Sequence, residues 1–481
     1  MLLWHNFCHR LLADLFRGTI GRNARHPFSE LSRTSPTPSK SLYWFTDGQI
    51  RDWLAQMNSE KPLASGSKLH REQSNVPRER KEKRGVMGKI YDRLRQDFDT
   101  TLTVISTGEA SLKDLAEDFP RVLSIAARLD APIEKIVPLA DKLAQARIWS
   151  ALEVDTDTLH SSTAAGVFAR GICGLRLTRT GAIETAVSDL AETLRSPLLP
   201  AGSLAHNFFR FHKAYANIDN GLCSVAATEL AALAAEGGPW ASQAKYWTID
   251  LAVTVEGCFT DALRTADSLE SDVFLDIRRH LLCSSVYRLN AHFADAEAAC
   301  AQALDLARQA GAEGLEGRAL MNLAETLAWV RPEEGRRIAL NAIEKAQKQH
   351  NKVDEFRSWL ALAVADAGMQ SAEIVREHIR KAAELDRLLG GQIGPVRVGT
   401  VEAFQAAVTG SPDVLQQARQ TVVATTGMLG TDEFQNDVLA VWSGSSNVEQ
   451  SRHAAETQWI NGPDEALRRW REVVTARQGA T

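Results

Sequence analysis

The sequence has none of the local signatures that carry catalysis. No H-E-x-x-H, G-x-S-x-G or G-x-G-x-x-G stretch occurs, so a zinc hydrolase, a serine hydrolase and a dinucleotide-dependent oxidoreductase all lack their first requirement. A phosphate-cradling G-x-x-x-x-G-K-[ST] loop is missing as well. The only Gly-Lys pair, Gly88-Lys89, is followed by Ile90 and has no glycine five residues before it. Cysteine is sparse and scattered: Cys8, Cys173, Cys223, Cys258, Cys283 and Cys300 form no C-x-x-C pair and have no histidines at ligand spacing. Neither a zinc site nor a disulfide framework is thereby indicated, and a reducing, cytoplasmic compartment is expected. No run of 18 apolar residues exists, which removes an ordinary membrane-spanning helix. Charge of one sign is lacking too, since the net charge is -5 with 24% charged residues, and no nucleic-acid footprint shows at that level.

What is present is length and helical periodicity. A chain of 481 residues with 44% hydrophobic residues exceeds one ordinary core and implies several domains or one extended array. Residues 1–40 are basic and end in a Ser/Pro-rich stretch, so a disordered leader is expected. Within it Trp4, Phe7, Cys8, Leu11, Leu12, Leu15 and Phe16 recur at helical spacing and permit an amphipathic helix. Residues 58–89 read as a charged linker, because the run Arg78 to Arg84 alternates bases and acids with no aromatic to stack a nucleobase.

From Ile90 onward apolar residues return at three- and four-residue steps, with no strand-like alternation. Turn signals punctuate this pattern at Gly181, Gly221, Gly237-Gly238-Pro239, Gly257, Gly311, Pro332, Gly390-Gly391 and Gly410 to Pro412. A small residue followed four and seven positions later by small or apolar ones recurs between them. The copies are Ala186/Leu190/Thr193, Ala226/Leu230/Leu233, Ala262/Ala266/Leu269, Ala296/Cys300/Ala303, Gly335/Ala339/Ala342 and Val375/Ile379/Ala382. Successive anchors are 40, 36, 34, 39 and 40 residues apart, which brackets the ~34-residue helix-turn-helix unit. A small side chain at the anchor lets a second helix approach the first closely, and the following positions fill the seam. A late copy, Ala466/Trp470/Val473 after Gly462-Pro463, predicts a terminal helix.

These residues resemble a tetratricopeptide repeat array over about Ala169 to Leu389. Trp359-x-x-Leu362-Ala363 stands 16 residues before Val375, and Tyr287 stands nine before Ala296, as in the family motif. The closing proline of that motif is absent throughout. The resemblance implies an all-α fold: an α-solenoid of antiparallel helix pairs wound as a right-handed superhelix over residues 90–430, with capping helices over 431–481 and a poorly ordered N-terminal region. It further implies a partner surface on the concave wall of first helices. On the best-phased units that wall carries Arg278, Leu281, Ser285 and Arg288, then Leu320 and Ala324, then Arg357 and Leu360, with Asn322 and Glu325 at its edge. Guanidinium groups there suit an acidic or carboxylate-bearing peptide. The alternative for each is an ordinary solvated helix residue.

Other candidates are better read as structural. Asp155-Thr156-Asp157 predicts a helix N-cap rather than a cation site. His206, His212, His280 and His292 lack ligand partners at helical spacing and read as packing or surface residues. Trp240, Trp247, Trp329, Trp442, Trp459 and Trp470 read as seam fillers.

A second, shorter resemblance lies in residues 41–57. The stretch Tyr43-Trp44-Phe45-Thr46-Asp47-Gly48-Gln49-Ile50-Arg51-Asp52-Trp53-Leu54 is similar to the end of the winged helix that follows the nucleotide domain in signal-transducing P-loop (STAND-type) ATPases, with Gly48 in place of the usual proline. Many such ATPases carry tetratricopeptide repeats after that segment. Two readings therefore stand. In one the chain is a non-catalytic scaffold binding a partner protein or peptide, with no cofactor or metal. In the other it is the sensor portion of a truncated or split signalling ATPase, associating with a nucleotide-binding domain or with itself.

Overall fold

The computed structural model describes residues 111–253, 258–270, 272–390, 394–425 and 459–478, a few positions between 92 and 103, and residues 438, 439 and 442. The expectations for residues 1–40, 41–57 and 58–89 lie outside the described residues.

Helix starts follow local chemistry. Ser111 opens α1 (Leu112–Leu129) with a reciprocal capping box: its hydroxyl accepts from Asp114 N and the Asp114 carboxylate accepts from Ser111 N. A short 3-10 turn (Ile133–Lys135) and α2 (Val137–Gln145) follow, then a second 3-10 turn (Trp149–Leu152) and the single-turn α3 (Thr156–Leu159). Asp155 is the N-cap of α3, accepting from Thr158 N at 2.8 Å and from the Thr158 hydroxyl at 2.7 Å.

Helical pairs then succeed one another. They are α4 (Ala164–Thr180) with α5 (Ile183–Leu194), α6 (Leu204–Asp219) with α7 (Cys223–Glu236), and α8 (Ala241–Leu251) with α9 (Phe259–Ala266). The series continues with α10 (Val273–Leu289) and α11 (Phe293–Gln309), α12 (Glu313–Val330) and α13 (Pro332–Lys348), α14 (Lys352–Asp366) and α15 (Ala372–Leu389), and α16 (Gly394–Thr409) and α17 (Pro412–Thr425). The last described helix is α18 (Pro463–Gln478). No strand occurs among the described residues. The turn signals end helices as expected; Gly390, for instance, takes the left-handed conformation (φ 67°) that caps α15. Gly257 lies outside the described residues.

The periodic small residues all lie on second helices. Ala186, Ala226, Ala262, Ala296, Gly335 and Val375 are buried, as are Leu190, Leu230, Ala266, Cys300, Ala339 and Ile379 one turn later. Gly335 shows why the anchor is small: a Cβ there would lie 2.5 Å from the Ala328 backbone nitrogen on α12. Helices pack on their chain neighbours, which is the arrangement of an α-solenoid. Consecutive first helices (α4, α6, α8, α10, α12, α14, α16) also touch each other, whereas no comparable contact joins second helices among the described residues. The first helices therefore form the inner, tighter wall of the curve.

The curve closes on itself. First helix α4 touches first helix α14, and the residues after α2 reach across the N-terminal rim of the inner wall. Gln145 O accepts from Arg278 Nη2 on α10 at 2.9 Å. A Cβ on Gly314 of α12 would lie 2.2 Å from Arg147 O. The Arg147 side chain continues to Asp354 on α14, with both Nη2–carboxylate distances at 3.2 Å. At the opposite rim α18 lies across the C-terminal ends of α10, α12 and α14. Trp470 Nε1 donates to Leu289 O at 3.0 Å. The Arg477 guanidinium donates to the carbonyls of Ala365 and Ala367 at 3.2 Å each, and also to Ala328 O. Those carbonyls are the orphaned acceptors of helix ends, and a cation there also complements the helix dipole. Trp329, Trp442, Trp470 and Phe404 pack as one aromatic cluster behind it.

Candidate functional site

The inner wall carries several arginines paired with carboxylates of neighbouring first helices. Arg288 on α10 and Arg357 on α14 converge on Glu325 of α12. Arg357 Nε and Nη2 make a bidentate pair with its carboxylate at 2.7 and 2.6 Å, and Arg288 Nη2 approaches at 3.1 Å. Burial pushes Glu325 up, but Arg357 and Arg288 outweigh it and hold its carboxyl at about 2. On the same two helices, Arg318 Nη1 donates to Asp354 Oδ1 at 2.8 Å, so Asp354 takes both Arg147 and Arg318. Burial raises Asp354, and the two guanidinium groups more than reverse it, leaving its pKa below the usual carboxylate value.

More groups face the same interior. Arg179, at the end of α4, lies 2.7 Å from Asp219 on α6 and stacks over the Tyr215 ring with its guanidinium carbon 4.4 Å from the centroid. Arg397 on α16 is held below the usual guanidinium value by burial, with the charges of Glu325, Arg318, Arg288 and Asp219 also acting on it. Burial and cationic neighbours lower the pKa of Arg357 to about 10, and burial lowers those of Arg278 and Arg397. Burial likewise pushes Asp250 on α8 up to about 6, against the pull of Arg318 and Arg357. Although enclosed by helices, the wall is wet: Arg318, Arg288 and Glu325 keep 23%, 18% and 15% of their side-chain surface exposed.

The residues expected on this wall separate into two sets. Arg278, Ser285, Arg288 and Glu325 are part-exposed on the inner face. Leu281 and Leu360 are packed into the two hydrophobic cores, while Asn322 and Arg357 are buried beside them. Asn322 Nδ2 donates to Leu281 O at 3.3 Å and to Ser284 Oγ at 3.2 Å, and Ser285 Oγ donates to Leu281 O at 3.1 Å, so both polar groups are held by α10. Leu320 and Ala324 are likewise core residues.

The sequence reading missed Arg147, Arg179, Arg318, Asp354 and Arg397. Arg318 carried a usable signal, seven residues before Glu325 and hence two turns along the same helical face. Arg147 and Arg397 lie outside the span over which the repeat resemblance held; Arg147 reaches α14 from the segment after α2, and Arg397 lies on α16, which packs on α14.

No protein-family model matches the sequence, and no curated protein matches it. Among solved structures, the chain is similar to a Rap protein complexed with competence and sporulation factor, at 11% identity and a TM-score of 0.32, covering 76% of this chain and 87% of that one. The apo form of RapI gives 11% identity and a TM-score of 0.32 over 76% of this chain and 99% of its own. A circular tandem repeat protein with a novel repeat topology gives 14% identity and a TM-score of 0.16 over 82% and 90%.

The remaining candidates are accounted for by packing. His212 is buried against Phe208 (ring centroids 4.4 Å apart), and burial takes its pKa to about 3. Trp240 Nε1 donates to Asp141 at 2.8 Å, and Trp247 packs on Tyr215 at 4.2 Å. His292 bridges Asp295 and Asn461 through its two ring nitrogens. No group of three His, Cys, Asp or Glu residues suited to a metal ion occurs among the described residues. No described helix is long and apolar enough to cross a membrane.

Proposed function

We propose that the chain is a non-catalytic protein-interaction scaffold, in which residues 90–430 form the repeat array, residues 431–481 cap it, and the inner wall of first helices holds a segment of a partner protein. The observation that supports this reading is the wall's chemistry. A helix-helix stack needs only apolar seams, yet Arg278, Ser285, Arg288 and Glu325 hold polar groups on the inner face and keep them in contact with solvent. Enclosed, accessible charge with rigid positioning is what recognition of a polypeptide requires, and it costs folding energy otherwise. The surface committed to the partner is Arg278, Ser285, Arg288 and Glu325, with Asn322, Arg357, Leu281 and Leu360 setting their positions from behind. The second reading, a sensor portion of a STAND-type ATPase, rests on residues 41–57 alone, outside the described residues, and nothing on the inner wall favours it.

A photo-crosslinking residue at Ser285 tests the proposal, with a control at Leu340 on the outer helix α13, which is exposed. A polypeptide adduct captured at Ser285 and not at Leu340 is the expected result. Capture only at Leu340 would move the function to the outer face and end the scaffold-groove reading.

A further inference from the structure

The paired helices pack on their chain neighbours, whereas α18 is held by helices that lie 71 to 181 positions earlier in the chain. Trp470 Nε1 donates to Leu289 O on α10, and the Arg477 guanidinium donates to Ala328 O on α12 and to Ala365 O and Ala367 O at the end of α14. Gln478 Nε2 donates to Ala407 O on α16 at 2.7 Å. Leu289, Ala328, Ala365 and Ala407 each stand within the last three residues of their helix, so the acceptors are carbonyls without a partner inside their own helix. Ahead of α18, Ile460 N donates to Asn290 Oδ1 at 3.2 Å, and Asn461 meets His292. One face of α18 makes this contact. Ala466, Leu467, Trp470, Val473, Val474 and Arg477 are buried. On the other face Arg468 is exposed and pairs with Glu465 and Glu472 of its own helix.

We propose that this rim, made by the C-terminal ends of α10, α12, α14 and α16, is a docking surface for an amphipathic helix. Here the chain's own α18 occupies it, and a partner helix presenting an indole and a guanidinium seven residues apart takes the same seat. The site is separate from the inner-wall residues and does not depend on their role. Trp470 and Arg477 stand two turns apart on one face, and Trp and Arg are the residue types that anchor helix-in-groove interfaces. Trp470 enters the rim between Trp329, at 4.9 Å, and Phe293, at 5.4 Å between ring centroids. Arg477 donates to main-chain carbonyls alone, so helix ends and their dipoles select the guanidinium at that point. Departure of α18 strands no charge, because Arg477 leaves with it and the freed carbonyls meet water. At the opposite rim, by contrast, removing Arg147 would strand Asp354. An emptied C-terminal rim would expose its aromatic rings as an apolar patch, so it exchanges one helix for another rather than standing open.

The experiment uses the full chain and a fluorescent peptide of residues 459–481, read by anisotropy. In the parent the tethered α18 competes at high effective concentration. The peptide is therefore expected to bind the Trp470→Ala/Arg477→Ala variant at least about tenfold tighter than the parent. The same two substitutions made in the peptide should abolish its binding to that variant. Arg477→Gln alone leaves the aromatic cluster intact, so it keeps the test open should the double variant fail to fold, and it should bind the peptide more tightly than the parent does. Hydrogen exchange on the unaltered parent gives an independent reading: amides of α18 should exchange through an opening that leaves α12 protected. Peptide binding that is absent, or equal for the parent and the variants, overturns the proposal. Exchange of α18 only together with α12 overturns it as well, since α18 would then be a fixed part of the array.

Discussion

Arg147 and Asp354 meet across 207 positions of sequence, both nearly buried, with the guanidinium 3.2 Å from each carboxylate oxygen. Asp354 is positioned from its own helix: Asn351 Oδ1 accepts from Asp354 N, and Asn351 Nδ2 donates to Asp354 Oδ2 at 2.8 Å. Removing one partner strands the other charge, which costs about 3–5 kcal/mol, while replacing both with apolar groups of similar size can be nearly neutral. Asp354→Leu should therefore destabilise by about that amount, and Arg147→Met/Asp354→Leu should recover part of it. Recovery will be incomplete because Arg318 still faces the vacated position. Urea unfolding of the single and double variants measures the coupling; strict additivity would show that the pair contributes nothing jointly.

Ala296 on α11 is fully buried in the seam with its helix pair. Ala296→Asp places an unpaired carboxylate there, with an expected loss on the order of 3–5 kcal/mol. Thermal melting of the variant checks it, and an unchanged transition would remove Ala296 from the seam.

His212 predicts an acid sensitivity. Its pKa falls from 6.5 unfolded to about 3 in the folded chain, because burial, and then Arg278 and Arg179, disfavour the cation. A depressed folded pKa means the neutral ring's contribution is fully present above pH 6.5 and is lost as pH falls toward 3. His212→Phe should fit among Phe208, Phe211 and Trp240 at little cost near neutral pH. The variant should then unfold at lower pH than the parent, on the order of one unit, in an acid titration followed by tryptophan fluorescence. Coincident curves would show that another group governs acid unfolding.

Asp141 carries the opposite sign. Burial lifts its pKa from 3.8 to about 6, although Trp240 and Gln145 hydrogen bonds oppose the shift. Stability from a raised acid is fully present below pH 3.8 and is lost as pH rises through 6, so the charged form burdens the fold at neutral pH. Asp141→Asn keeps an acceptor for Trp240 and should gain stability relative to the parent between pH 4 and 7, on the order of 1–3 kcal/mol. Chemical denaturation at those two pH values measures the gain; an identical offset at both would assign the effect to packing.

The helical architecture was legible in the sequence because its cause is local. Ala296, Gly335 and Val375 recur where the seam demands small side chains, and Gly390 or Pro332 mark the ends. The inner wall was only half legible. Arg288 and Glu325 follow from the phase of their own helices, whereas Leu281 and Leu360 share that phase yet turn into the cores, since neighbouring first helices touch more closely than a free concave face would allow. Arg147 and Arg397 had no local signal at all. Their roles come from curvature, a small rotation repeated at every helix pair, which no short window of sequence records.

The strap formed by Gln145 to Arg147 changes what kind of object the array is. An open stack of repeats behaves as a spring, whose ends move freely and whose units melt one after another. Tying Arg147 to the starts of α12 and α14 turns the spring into a hoop. Without Arg147 or Asp354 that closure is lost, and both ends of the array are expected to loosen together.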